Sequence, residues 1–321
     1  MRIFVAGATG ALGSRLVPRL VASGHEVTGT TRSPDRLDRI RPMGAEAVVM
    51  DGLDAGSVQR AVLGARADVV VHQMTALAGF TDFRNFDEGF AVTNRLRTEG
   101  TDHLLAASRA ARVECFVAQS YAGHPFARVG GWIKTEDDPL DTDPPAELRR
   151  TIEAIRYLED RVLETEGIEG IVLRYGGFYG PGTSAAADGP MIEEVRRRRF
   201  PIIGAGTGVW SFVHVEDAAE ATVAAIERGR QGIYNIVDDD PQRVSEWLPA
   251  LAEMLGARPP RRIPAWMGRI LAGPHVVVLM NEIRGASNEK AKRELGWRPA
   301  HPSWREGFRR ELAAAPASRA A

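Results

Sequence analysis

Six short apolar runs, separated by stretches that read as helices, restrict this chain to one class of fold. The runs lie at residues 3–6, 26–30, 47–50, 69–72, 116–119 and 170–174. Helical patterns fill residues 12–23, 57–63 and 98–110, and a further helix containing TIEAIRYLED (151–160) precedes the sixth run. Strands joined through helices must run parallel, and right-handed crossovers place helices on both faces of the sheet. The expected fold is α/β, a doubly wound parallel Rossmann sheet.

The second half is less regular. Residues 210–215 and 233–237 read as short strands around a helix at 218–228, and 245–255 reads as a helix with Ser245 as its N-cap. Residues 175–205, rich in glycine and small side chains, read as irregular, and 258–264 as a basic, proline-rich turn. The expected division is a Rossmann domain of residues 1–174 plus 209–240, a smaller C-terminal domain of 175–208 plus 241–312, and a disordered tail, 313–321. No internal repeat is evident.

Composition narrows the class of partner. A net charge of -1 gives no electrostatic reason to bind nucleic acid or an anionic membrane, and RRRRF (196–200) reads as a solvated helix end. The single cysteine, Cys115, excludes an internal disulfide and reads as a buried structural thiol in a reducing compartment. The chain opens on a strand, not a signal segment, and has no apolar window of about 18 residues, so a cytoplasmic location is expected. The seven histidines show no metal-ligand spacing, and no metal is expected.

GATGALG (7–13) follows the first strand and opens a helix. Gly7 permits the tight turn, Gly10 lets backbone approach a pyrophosphate, and Gly13 lets the helix pack on the strand, while the helix N-terminus offers free N–H groups. Gly7, Thr9, Gly10, Ala11, Leu12 and Gly13 are therefore candidate dinucleotide contacts. The second strand ends in Thr30, Thr31, Arg32 and Ser33, with no acidic side chain for ribose hydroxyls. Thr31 and Arg32 suit a 2′-phosphate, which favours NADP over NAD. Asp51, beside Gly52, is placed to accept from an adenine amino group or to cap the next helix.

Several motifs in one order carry a family resemblance. Besides GATGALG they are VVMDGLD from Val48, DVVVHQMTAL from Asp68, EGTDHLLAA from Glu99, LRYGGFYGPG from Leu173, WSFVHVEDAAEA from Trp210, GIYNIVDDDP from Gly232 and AKRELGWRP from Ala291. The chain resembles the extended short-chain dehydrogenases/reductases of the NAD-dependent epimerase/dehydratase group. The resemblance implies a smaller C-terminal substrate domain, often a homodimer, here through helices at 98–110 and 147–166, and a small-molecule substrate. It implies Gln73, Met74, Thr75 and Tyr175 beside the cofactor, and His72 at the end of the fourth strand, where a structural role is expected. It also implies a tyrosine acid/base, a lysine four residues on that lowers its pKa, and a Ser or Thr at the end of the fifth strand.

The chain departs from that mechanism. Counting back from Arg174, the tyrosine and lysine positions fall at Thr151 and Ile155, and neither can exchange a proton at working pH. Tyr157 and Arg161 share a helix face but sit six residues closer to Arg174 and off the apolar stripe of Leu148, Ile152, Ile155 and Val162. FVAQSYAG (116–123) aligns Ser120 and Tyr121 with the two hydroxyl positions at the end of the fifth strand. Tyr121, with Ser120, is the candidate acid/base or oxygen-binding donor. Lys134 is a candidate partner from the following loop, and His124 a candidate proton relay. Tyr179 is expected at the substrate mouth and Asp217 as a helix cap, and Trp210 and Arg284 are candidates to face the substrate.

The expected activity is therefore an NAD(P)-dependent oxidoreductase, epimerase or dehydratase acting on a small carbonyl or hydroxyl compound, a sugar nucleotide or secondary metabolite, without the usual Tyr/Lys pair. The alternatives are an NAD(P)-binding sensor or scaffold without hydride chemistry, and a non-redox lyase or isomerase on the same fold.

Overall fold

The computed structural model describes residues 1–77, Phe80 and 83–314. Seven strands, β1 (Arg2–Ala6), β2 (Glu26–Thr31), β3 (Glu46–Val49), β4 (Val69–His72), β5 (Cys115–Tyr121), β6 (Glu169–Tyr175) and β7 (Gly232–Ile236), form one sheet in the order β7-β6-β5-β4-β1-β2-β3. Every neighbouring pair is parallel. The order reverses between β1 and β4, which opens a crevice at their carboxyl ends.

The strands are apolar on both faces because both are covered. Ile3 and Val5 of β1 pack with Leu16 and Leu20 of α1 (Gly13–Ala22). Phe4 and Ala6 face the other way, onto Val58 and Val62 of α2 (Ala55–Ala65). In β5, Phe116 and Ala118 join the second cluster and Val117 the first. Truncating a wholly buried ring such as Phe4 would cost about 3–5 kcal/mol.

Two helices meet end to end after β4. The first, α3 (Phe86–Arg97), is separated from α4 (Glu99–Ala111) by Thr98 alone. The sequence did not show α3 as a helix, because its buried face (Phe86, Phe90, Thr93, Leu96, Arg97) mixes polar with apolar side chains and Gly89 lies in its first turn. It packs against α5 (Ala146–Leu163).

Further differences lie in the second half. Residues 210–215 form two strands that leave the main sheet: Val209–Trp210 pairs with Gln242–Arg243, and Phe212–His214 with Gly177–Tyr179. The expected irregular stretch thus holds a strand, and also a helix, α6 (Pro190–Arg196). The four arginines 196–199 do close α6, as expected. The proline-rich turn contains Arg262–Ile263, paired with Ile202–Ile203. Next comes α7 (Val215–Arg228), then α8 (Val244–Met254), whose N-cap is Arg243, while Ser245 sits inside the first turn with its N–H on the Gly206 carbonyl. Four more helices, α9 (Ala265–Ala272), α10 (Pro274–Asn281), α11 (Glu289–Glu294) and α12 (Trp304–Ala314), complete the described chain. Residues 313–314 of the expected tail are the end of α12, and 315–321 lie outside the described residues.

A separate apolar cluster joins the two stretches around α6 and α8. It contains Ile192, Val195, Ile202, Trp247, Leu251, Trp304 and Phe308. Tyr179 belongs to it and not to a substrate mouth: its ring is wholly buried and stacks on Phe308 with centroids 4.6 Å apart. Trp210 also packs there, near Trp247, with its indole N–H on the Leu279 carbonyl. Asp217 does not cap α7, whose first turn is bonded by His214 instead. Its carboxylate accepts the backbone N–H groups of Ala300 at 2.9 Å and His301 at 2.8 Å, and binds His301 Nδ1 at 3.0 Å. Among the described residues, no helix is long and apolar enough to cross a membrane.

Candidate active site

The carboxyl ends of β1, β2, β3, β4 and β5 bring the sequence-derived candidates to one edge of the sheet. Gly7 adopts φ +98°, a conformation that favours glycine, and a Cβ there would lie 2.9 Å from the Gln73 carbonyl oxygen. A Cβ on Gly13 would overlap the Gly7 carbonyl and come within 2.8 Å of Ala8 Cα. The turn is tied down by Thr30, whose hydroxyl accepts the Gly7 N–H at 3.2 Å, a supporting role that the loop sequence alone does not reveal.

The start of α1 is left open. Leu12 makes no side-chain capping bond and no acidic residue occupies the first turn, so the helix end keeps its positive potential, while the Ser14 and Arg15 N–H groups bond back to the Gly10 and Leu12 carbonyls. These features fit a dinucleotide pyrophosphate. Gly10 and Arg32 are exposed, and Thr9 and Ala11 are half-buried beside them. Thr31 is buried, and its hydroxyl accepts the Ser33 N–H, so its side chain supports the turn that presents Arg32. Asp51 is exposed and does not cap α2; Asp54 does, through the N–H groups of Gly56 and Ser57. One Asp51 oxygen accepts the Leu53 N–H. Met74 packs on Gly52, Thr75 is exposed, and Gln73 is buried with its amide near the Tyr175 hydroxyl.

Two expectations fail here for physical reasons. Tyr175 is fully buried, with its hydroxyl 2.6 Å from Thr222 Oγ1 and within reach of the Gln73 amide, so its ring is not exposed to the crevice. Lys134 is buried too: its ammonium donates to the Val129 carbonyl at 2.7 Å and pairs with Asp138 at 2.9 Å, which fixes a loop and leaves it unavailable to a tyrosine. Arg284 is likewise engaged, stacked over the Trp132 ring at 3.9 Å and donating to the Arg128 carbonyl. His72 is structural, with Nε2 3.1 Å from the Leu96 carbonyl and Nδ1 accepting the Met74 N–H. Burial holds its pKa down to about 4.

Alternation along β5 separates Ser120 from Tyr121. Ser120 turns away from Tyr121 and donates to Glu159 at 2.6 Å, inside a buried ion pair with Arg174. It therefore stands behind the site. Tyr121 remains half-buried at the strand end, beside His124 at a ring separation of 4.9 Å. Burial pushes the phenol up to about 12 and the imidazole down to about 3, so both are neutral at working pH. Thr151 is buried and accepts from Asn94 Nδ2 at 3.0 Å, and Ile155 is buried beside Ala122 and Phe126. Tyr157 is on the outer side of α5, donating to Asp102 at 2.6 Å next to Arg161, far from the proton-handling role. Sequence reasoning missed Arg97, a buried guanidinium at the end of α3 within electrostatic range of Tyr121 and Glu159.

A sequence model of the NAD dependent epimerase/dehydratase family matches residues 3–237. The chain belongs to this family. It is 44% identical to a 3-diazoavenalumate denitrifying reductase from a Streptomyces species, over 97% of this chain and 100% of that protein. It is 28% identical to a 4-hydroxy-2-methyl-3-oxo-4-farnesyl-3,4-dihydroquinoline-1-oxide ketoreductase of Stigmatella aurantiaca, over 92% of each chain. Among solved structures it resembles the UDP-glucose 4-epimerase of Thermus thermophilus in complex with NAD, at TM-score 0.74 and 26% identity over 98% of both chains. The family is NAD-dependent, which agrees with the open helix end and glycine turn described above.

Proposed function

We propose that this chain is an NAD(P)H-dependent reductase of a small secondary-metabolite substrate, and that reductive loss of a diazo group is its reaction. The observation that carries this reading is the 44% identity, end to end, to a reductase named for denitrification of a diazo compound. The glycine turn and α1 would hold the pyrophosphate, and Arg32 a 2′-phosphate, which favours NADPH. Bound there, the cofactor supplies a hydride.

The protein groups fit that demand. Exchange of a diazonium group for hydrogen takes up one hydride and releases N2, and it needs no proton. Carbonyl reduction needs a hydride and a proton together. Thr151 and Ile155 offer no acid/base pair, and the Tyr121 phenol stays protonated, suited to donating a hydrogen bond to a substrate oxygen. The second reading, carbonyl reduction, is supported by the ketoreductase relative and would use the same phenol as proton donor.

The test is turnover of NADPH with an ortho-diazo hydroxybenzoate, alongside a panel of ketones. We expect NADPH consumption matched to N2 release, and a loss of rate in Tyr121→Phe. Consumption with ketones only would select the second reading, and none with either would end both. An Arg32→Glu variant that keeps its preference for NADPH over NADH would remove the 2′-phosphate assignment. We also propose a homodimer through α4 and α5, to be checked by light scattering.

A further inference from the structure

One guanidinium buried behind Tyr121, that of Arg97, makes no direct ion pair among the described residues. Glu159 accepts from Arg174 Nε at 2.8 Å and Nη2 at 2.6 Å, and from Ser120, which uses both carboxylate oxygens. Arg97, only 5% exposed, adds a second guanidinium. Its Nη1 has no hydrogen-bond partner among the described residues, and its nearest aromatic support there is the Phe90 ring, 6.0 Å from the guanidinium carbon. Arg174 already occupies both oxygens of Glu159, the carboxylate within electrostatic range of Arg97, while Glu136 lies within range of Arg174. Around Arg97 itself, the other titratable groups among the described residues supply no further anion: Tyr121 holds its proton, and His72 and His124 are neutral. Burying an unpaired charge is strongly unfavourable, and a chain that keeps one in its active site gains from an anion that enters later.

Three further polar atoms nearby have no hydrogen-bond partner among the described residues, and one of them is Arg174 Nη1. Another is His124 Nε2, buried on the ring beside Tyr121 with no hydrogen-bond partner among the described residues. The third is Asn94 Oδ1, one helical turn before Arg97 on α3. The Phe90 ring lies by Arg97, Phe86 stacks on Phe90 and meets the His124 ring edge-on, and Tyr121 lies beside His124. Guanidinium, neutral imidazole and aromatic walls together match an aromatic carboxylate.

We propose that Arg97 is the anion receptor of this site, binding a substrate carboxylate with help from His124, and that it determines which substrates enter. This rests on the location of the site assigned above, but not on the reaction.

The test uses the protein loaded with NADP+ and a plain aromatic acid. Cinnamate is titrated calorimetrically against its methyl ester, in wild type, Arg97→Lys and Arg97→Met. Wild type should prefer the acid by at least about tenfold, as expected for a charge-assisted bidentate contact. Arg97→Lys should keep part of that preference and Arg97→Met none, with NADP+ affinity unchanged in all three. Arg97→Met should also melt higher than wild type, because it removes an unpaired buried charge; a structural arginine would give a lower melting temperature. Equal binding of acid and ester by wild type, binding of neither, or a destabilised Arg97→Met would overturn the proposal. Loss of the acid preference in Arg97→Met alongside full diazo turnover by Tyr121→Phe would leave the anion site standing and sink only the role given to Tyr121.

Discussion

Arg174 grips Glu159 through two parallel N–H···O bonds of 2.8 and 2.6 Å, with both side chains almost fully buried between β6 and α5. A pair of this kind adds little over well-packed apolar residues, but removing one partner strands the other. Glu159→Ala should therefore lower unfolding stability by about 3–5 kcal/mol. The double variant Glu159→Leu/Arg174→Met should recover much of that loss. Urea denaturation of the three proteins checks both statements, and a double variant no better than Glu159→Ala would show that the pair does more than neutralise itself.

The glycine turn makes a sharper demand. Gly13→Ala places a methyl group on the Gly7 carbonyl and Ala8 Cα, both backbone and unable to swing aside. We expect a destabilisation of roughly 1–3 kcal/mol, of the kind overpacking produces. NADPH affinity should fall with it, since the turn that aims the α1 N–H groups must open. Calorimetry with NADPH and thermal melting report the two effects together.

Histidine burial sets a pH dependence. In the folded chain His72 titrates at about 4 and His124 at about 3, against 6.5 for a free imidazole. Between pH 6.5 and about 4 the unfolded chain binds protons that the folded chain refuses, so stability falls as pH falls through that window. Each imidazole contributes a slope on the order of 1 kcal/mol per pH unit there. Denaturation at pH 7, 6 and 5 should show the decline, and His124→Phe should flatten it; an unchanged slope would mean that His124 gains a proton in the native state.

Tyr157 provides the control for the site assignment. It is partly exposed and reaches Asp102 on α4, away from the carboxyl ends of the strands. Tyr157→Phe should leave turnover unchanged and cost at most about 1 kcal/mol, the net worth of one exposed hydrogen bond. A large loss of rate with retained stability would move the proton-handling group back to α5.

Much of the Rossmann half was legible because its signals are local. Continuous apolar runs mark strands covered on both faces, and β4 appears at the residues the run predicts, 69–72. The glycine turn follows from spacing alone. What failed depends on direction and on distance along the chain. Tyr175 and Lys134 have chemistry suited to a site, but which way a side chain points at a strand end is set by neighbours such as Thr222 and Asp138 that no local pattern announces. Arg97 escaped notice for the opposite reason. An arginine late in a charged stretch reads as solvated, and only the packing of α3 on α5 reveals that it is buried.

The grip of Asp217 on Ala300 and His301 has a consequence for how the molecule is made. The carboxylate sits at the start of α7, yet its partners arrive more than eighty residues later in the chain. As the chain leaves the ribosome, the seven-stranded sheet can assemble once β7 has emerged, but Asp217 then faces water with no backbone to hold. Only after the segment around Ala300 has emerged can it close over Asp217. A message truncated shortly before that point would yield a sheet that is complete in outline and unlatched, a natural target for quality-control proteases.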